Sequence, residues 1–130
     1  MYINFGPILK KIVRASAVLT TSYVAGTVVD QEEIKGANQL LVLVDFTLGS
    51  LTDGRIKVEF SHDGLTYYQE TDGTVSGASS LETVIDHKFT ATGKYRLAIP
   101  IMDRYIKISA IGTGTVTNSL MTIDAVVGGQ

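Results

Sequence analysis

The chain has 130 residues, no cysteine and a formal net charge of −2. At this length one domain can bury about two thirds of its unfolded surface, and the lack of cysteine excludes disulfides, thiolate metal sites and a cysteine nucleophile. The small net charge, without any block of like charges, excludes the basic surface typical of proteins that bind nucleic acid or anionic membranes. No apolar run approaches the roughly 18 residues of a membrane-spanning helix.

The N-terminal segment, MYINFGPILKKIV, is apolar but lacks the order of a secretory signal peptide. Lys10 and Lys11 follow the apolar residues instead of preceding them, and no long apolar stretch with a cleavage site comes next. We therefore expect mature protein made in the cytoplasm, with an N-terminal arm over residues 1–11 and one domain over residues 12–130. The apolar arm is expected to contact a neighbouring chain or its own domain through Tyr2, Ile3, Phe5, Ile8 and Leu9.

Alternation of apolar and polar residues dominates the rest of the chain and predicts β-strands. In RIKVEFS, Ile56, Val58 and Phe60 point to one side and charged residues to the other. Similar candidate strands are KIVRASAVLT, SYVAGTVV, TYYQET, LETVIDHKFT, GKYRLAIPI, RYIKISAI and SLMTIDAVV, and glycine-containing turns separate them. The chain is therefore predicted to be all-β, a single-domain antiparallel β-sandwich of eight or nine strands with jelly-roll or related Greek-key topology.

The strand QLLVLVDFTLG is apolar on both faces. One face carries the residues that a core requires, which are Leu40, Val42, Val44, Phe46 and Leu48. Leu41 and Leu43 lie on the opposite face, where a sandwich normally meets water. Two interpretations stay open: part of the same chain covers these leucines, or they belong to a surface that binds a partner.

The stretch VEFSHDGLTYYQE places Ser61, His62 and Asp63 side by side. A catalytic triad needs a histidine between the other two groups, which three consecutive residues cannot provide. Asp-Gly between an alternating strand and an aromatic one is instead a strong hairpin signal, and Gly64 can supply the positive φ that such a turn needs. We predict a turn here, with His62 exposed beside it.

The remaining polar residues predict no metal site, no cofactor and no enzyme. His62 and His87 are the two histidines of the chain, and a zinc site would need both together with carboxylates. The three Asp-Gly pairs lack the closely spaced oxygen ligands of a calcium loop. Glu82 and Asp86 are too isolated to nominate as a general acid and base.

Two motifs, KVEFSxDGxxYYQET and FTATGKYRLAIPIxDRYIKIS, lie in a run over roughly residues 22–127 that resembles small virion structural proteins of tailed bacteriophages. Such proteins are β-sandwich capsid decoration or cement proteins, or accessory pieces of the head or tail. The resemblance implies location in the virion, assembly with capsid or other virion proteins and with further copies of the chain, and no catalytic residues. Leu41, Leu43 and the apolar arm would then form the interface.

A second, shorter similarity is to galactose-binding-like jelly rolls, in which a strand ends in Ser-x-Asp-Gly before an aromatic residue. Ser61, Asp63, Gly64 and Tyr67 match this pattern, although tyrosine stands where tryptophan is usual. The similarity implies an alternative function, a carbohydrate-binding module for host attachment. Its aromatic platforms would come from Tyr67, Tyr68 and Tyr105.

Overall fold

The computed structural model describes residues 8–30, 39–75, 82–101 and 103–128. These ranges contain β-strands and no helix, so no helix in them has the length and hydropathy to span a bilayer. The strands are β1 (Ile8–Ala17), β2 (Val24–Ala25), β3 (Val29–Asp30), β4 (Gln39–Thr47), β5 (Leu51–Ser61), β6 (Tyr68–Gln69), β7 (Thr71–Val75), β8 (Glu82–Val84), β9 (His87–Phe89), β10 (Gly93–Pro100), β11 (Tyr105–Gly114) and β12 (Leu120–Gly128).

The strands form two main antiparallel sheets, and β7 and β8 form a separate pair. The four-stranded sheet has the order β1-β12-β4-β10. In the six-stranded sheet, β11 pairs with β5, while β2 and β3 lie beside β11, and β6 and β9 lie beside β5. The long strands β4, β5, β10, β11 and β12 alternate between the sheets along the chain, as in Greek-key sandwiches. The predicted antiparallel β-sandwich is confirmed.

The strands are more numerous and some are shorter than the alternation predicted, and the stretch SYVAGTVV shows why. The amide of Gly26 donates to the carbonyl of Ile108 in the six-stranded sheet at 2.9 Å. The next amide, of Thr27, donates to the carbonyl of Val13 in the four-stranded sheet at 2.8 Å. The chain changes partners between these two residues, so one predicted strand becomes β2 and β3. A Cβ at Gly26 would lie 2.5 Å from the Val13 oxygen, so the crossing requires glycine.

The core lies between the two sheets and is built from alternate strand positions. On β4 the inward residues Leu40, Val42, Val44 and Phe46 are all buried. Facing residues on the six-stranded sheet complete the apolar layer, and two of them, Ile56 and Val58, were predicted from RIKVEFS. The fully buried ones include Val29, Ile56, Val58, Ile106 and Ile108. Apolar residues thus recur at every second position of the sequence because successive side chains of a strand point to opposite faces, and one face packs against the other sheet.

Residues 8–11 of the predicted arm belong to a strand of the sandwich. β1 begins at Ile8, which pairs with Gly128, and its register continues to Lys11 opposite Ala125. β1 therefore crosses the predicted boundary between residues 11 and 12. Of the predicted arm contacts, Tyr2, Ile3 and Phe5 lie outside the described residues.

Candidate functional site

The Ser61-His62-Asp63 stretch forms a turn in which the polar groups bond to the backbone. The amide of Gly64 donates to Ser61 Oγ at 2.8 Å, and Gly64 has a φ of 79°. Asp63 Oδ1 accepts hydrogen bonds from the amides of Leu65 and Thr66 at 2.8 and 3.0 Å. These bonds, that from Thr66 first, hold the pKa of Asp63 below its usual value. The predicted turn is confirmed.

Among the residues that the structure describes, neither histidine lies in a catalytic arrangement with a serine. Ser61 Oγ donates to Asp63 Oδ1 at 3.1 Å, while the exposed His62 ring places Nδ1 3.4 Å from Asp103 Oδ1. His87 lies on β9 with Nε2 3.0 Å from Glu70 Oε1. Within the part of the chain that the structure describes, no three or more histidine, cysteine or carboxylate groups gather as potential metal ligands.

An apolar surface covers the outer side of the four-stranded sheet. We call it the apolar outer face and define it by residues from all four strands: Ile12, Leu41, Leu43, Ala98, Leu120 and Val126. Leu41 lies between Val126 on β12 and Ala98 on β10, so three apolar side chains are adjacent across the sheet. Leu41 and Val126 are half-buried, and Ala98 is exposed.

The next row of this face combines apolar and charged residues. Leu43 lies between Asp124 on β12 and Arg96 on β10, and Ile12 on the edge strand is opposite Asp124. Ile12 keeps 59% of its surface exposed and Leu43 keeps 37%. Both are therefore only partly covered by their neighbours within the sheet.

Ion pairs flank the apolar residues. Lys94 Nζ lies 2.7 Å from Asp45 Oδ2, and Lys10 Nζ lies 3.6 Å from Asp124 Oδ2. A shallow depression of about 370 Å³ runs over this region, and Leu43, Asp45, Lys94, Arg96 and Asp124 are among the residues that line it. The face thus mixes apolar and charged residues, as non-obligate protein interfaces do when they are taken as a whole.

The structure places both leucines predicted for an interface on this face. Leu41 is half-buried between its cross-strand neighbours, whereas Leu43 is exposed, so the described part of the chain covers it only in part. The sequence prediction missed Ile12, Leu120 and Val126. Ile12 was detectable, since it is out of phase with Val13, which points into the core.

The three tyrosines predicted as a sugar platform do not share one surface. Lys107 Nζ lies 4.1 Å from the ring centre of Tyr67, on the outer face of the six-stranded sheet. Tyr105, two positions before Lys107 on β11, is on the same face. Tyr68 instead pairs with Phe60, a residue that packs against the core, and so lies on the other side of the sheet. Burial is the main cause that raises the pKa of Tyr67.

The chain has no match among family models, and none among curated protein sequences. One solved structure that resembles it is the PBSX exported protein XepA, with a TM-score of 0.63 and 10% sequence identity. The similarity covers 94% of this chain and 38% of the XepA chain. At this identity the likeness concerns the fold alone, and the chain corresponds in length to well under half of XepA.

Proposed function

We propose that this chain is a non-enzymatic structural protein of a bacteriophage particle, of the capsid decoration or cement type, that binds the shell and further copies of itself. The resemblance of its motifs to virion proteins of tailed phages supports this proposal. The fold neighbour, XepA, is also a phage protein, which supports the broader assignment to phage biology.

The apolar outer face is the observation that carries the proposal. Removing apolar surface from water contributes roughly 25 cal/mol per Å², so a partner that covers Ile12, Leu43 and Leu120 gains free energy that the separated chain lacks. A four-stranded sheet presents these residues on a rigid, backbone-bonded support. The flanking ion pairs, such as Lys94 with Asp45, can fix the orientation of the partner at the rim, where charged pairs remain solvated.

Stabilisation of a particle would follow from mass action. A protein that binds only the assembled shell stabilises assembly by about 2.7 kcal/mol per site when its free concentration is a hundred times its dissociation constant. No catalytic group is needed for this effect. It needs only a folded domain whose binding face remains available when the partner is absent.

The test replaces the two most informative residues of the face, Ile12→Thr with Leu43→Thr. Threonine keeps the strand preference of a β-branched residue while replacing apolar surface with a hydroxyl. Because both side chains are already partly exposed, we expect the free energy of unfolding to fall by only about 1–2 kcal/mol. The matched control is Leu65→Thr, at an exposed leucine in the Asp63-Gly64 turn.

Sedimentation of the purified chains measures self-association, and mass spectrometry of purified particles measures incorporation. We expect the double variant to be folded but monomeric and missing from particles, while Leu65→Thr behaves as the original chain. If the original chain itself is missing from purified particles, the virion proposal is wrong. If the double variant is incorporated like the control, the apolar outer face is not the binding surface.

A further inference from the structure

A cleft of about 380 Å³ opens where the β6 edge of one sheet meets the end of β10 in the other. Its volume is within the range of about 300–1,000 Å³ typical of small-molecule sites. The lining residues are Phe60, Tyr68, Gln69, Glu70, Thr71, Pro100 and Asp103. The cleft is separate from the apolar outer face and shares no residue with it.

Tyr68 gives this cleft an exposed aromatic wall. It keeps 69% of its surface accessible, more than expected for an aromatic residue in a strand that pairs with the core-packed Phe60. Its neighbour in the chain, Tyr67, is held under the ammonium group of Lys107 on the opposite side of the sheet. Tyr68 thus offers a ring that a ligand can cover, and Phe60 and Pro100 add apolar surface beside it.

Two carboxylates of the cleft each use one oxygen in contacts within the chain. Glu70 Oε1 lies 3.0 Å from His87 Nε2. Asp103 Oδ1 lies 3.4 Å from His62 Nδ1 and accepts a hydrogen bond from the Arg104 amide at 2.9 Å. Within the described ranges, the second oxygens, Glu70 Oε2 and Asp103 Oδ2, have no hydrogen-bond partner. Both residues line the same cleft as Tyr68, so these oxygens are available as acceptors there.

We propose that this cleft binds a neutral sugar, with one apolar face of the sugar ring on Tyr68 and its hydroxyl groups donating to Glu70 and Asp103. The combination of one exposed aromatic ring with carboxylate acceptors in the same cleft suits a ligand that is apolar on its ring face and rich in hydroxyl donors at its edge. The two negative charges disfavour phosphates and acidic sugars. The proposal does not depend on attachment to a shell.

The test is a titration of the isotope-labelled chain with glucose, galactose, mannose and N-acetylglucosamine, followed by backbone amide shifts in NMR. At least one of these sugars should shift the amides of residues 68–70 and 103. Tyr68→Ala should weaken that binding roughly tenfold or more, since tenfold corresponds to about 1.4 kcal/mol and a lost aromatic contact contributes about that much. Asp103→Asn, which removes the charged acceptor, should weaken it as well.

Three controls make the result decisive. Tyr68→Phe retains the ring and should retain binding, while Tyr67→Ala, on the opposite side of the sheet, should bind as the original chain does. N-acetylneuraminic acid, an acidic sugar, should cause smaller shifts than the neutral sugars. The proposal is overturned if none of the four neutral sugars shifts residues 68–70, or if Tyr68→Ala binds as tightly as the original chain. Loss of binding in Tyr67→Ala alone would overturn it too, and would place the sugar on the outer face of the six-stranded sheet.

Discussion

A buried carboxylate on β5 should make the stability of the sandwich depend on pH. The Asp53 side chain is 3% exposed, and Arg55 contacts both of its oxygens, with Nε 3.0 Å from Oδ1 and a terminal nitrogen 3.3 Å from Oδ2. Lys88 Nζ lies 3.8 Å from Oδ2, and Thr113 donates a further side-chain hydrogen bond. These partners, Arg55 first, hold the pKa of Asp53 below its ordinary value.

We expect Asp53→Asn to lower the free energy of unfolding by about 2 kcal/mol near pH 7. Hydrogen bonds to charged groups contribute about 1.5–3 kcal/mol, and the value falls in the lower part of this range because the Arg55 side chain, at 36% exposure, can turn to solvent. The matched control is Asp45→Asn. Its carboxylate contacts Lys94 at 2.7 Å, but both side chains are well exposed, so we expect a loss of about 0.5 kcal/mol or less.

The sign of the pH dependence follows from the lowered pKa. A carboxylate whose pKa is lower in the folded than in the unfolded state stabilises the fold fully above the unfolded value, about 3.9 for aspartate. This contribution is lost as the pH falls through the folded pKa. Urea unfolding curves of the original chain and Asp53→Asn should therefore differ at about pH 7, and the difference should be smaller at about pH 3, below the unfolded value. A difference that is equally large at both pH values, or below about 0.5 kcal/mol at pH 7, would refute the role of the Asp53 charge.

Three further changes test the turn, its histidine and the N-terminus. Gly64→Val should lower the free energy of unfolding, measured in urea melts, by about 1–2 kcal/mol through left-handed strain. The reason is that φ is 79° and an added Cβ would lie 3.3 Å from the Tyr105 ring. An unchanged urea midpoint would contradict this expectation. His62→Ala should stay within about 0.5 kcal/mol in the same melts, and a large loss would mean that His62 has a role beyond the turn. Deleting residues 1–7 leaves β1 from Ile8 onward. The deletion should weaken self-association or particle binding more than it lowers the melting temperature. Equal incorporation of the truncated and original chains into particles would contradict this.

The structural elements that depend only on residues adjacent along the chain were predictable from the sequence. The alternation in RIKVEFS and QLLVLVDFTLG corresponds to β5 and β4, because a strand against a core has period two whatever its partners are. The Asp63-Gly64 turn was predictable for a similar reason, since the turn chemistry is contained in a few consecutive residues.

What the sequence did not predict depends on which strands are neighbours in space. Ile12, Leu43 and Leu120 join one surface only because β1, β12 and β4 are adjacent in one sheet, and these strands are far apart along the chain. The same applies to the cleft, which is lined by Tyr68 on β6 and by Asp103 in the connection between β10 and β11, two residues far apart along the chain. The adjacent tyrosines gave a misleading signal, because Tyr67 lies just before β6 under Lys107, whereas Tyr68 lies on β6 and pairs with the core-packed Phe60.

The two outer faces of the sandwich differ in how their polar groups are satisfied, and this difference favours one of them as a binding surface. On the six-stranded sheet, Glu59 lies 3.7 Å from Lys57 and 4.0 Å from Lys107, and both ammonium groups also lie over tyrosine rings. Covering that face would desolvate charges that already have partners, which costs free energy. Covering the other sheet also covers Asp124 and its partner Lys10, but it removes the exposed apolar surface of Ile12 and Leu43 from water, and this gain opposes that cost. If the four-stranded sheet docks through that face, the Tyr68 cleft at the edge of the sandwich stays open, so shell binding and sugar binding do not compete for the same surface.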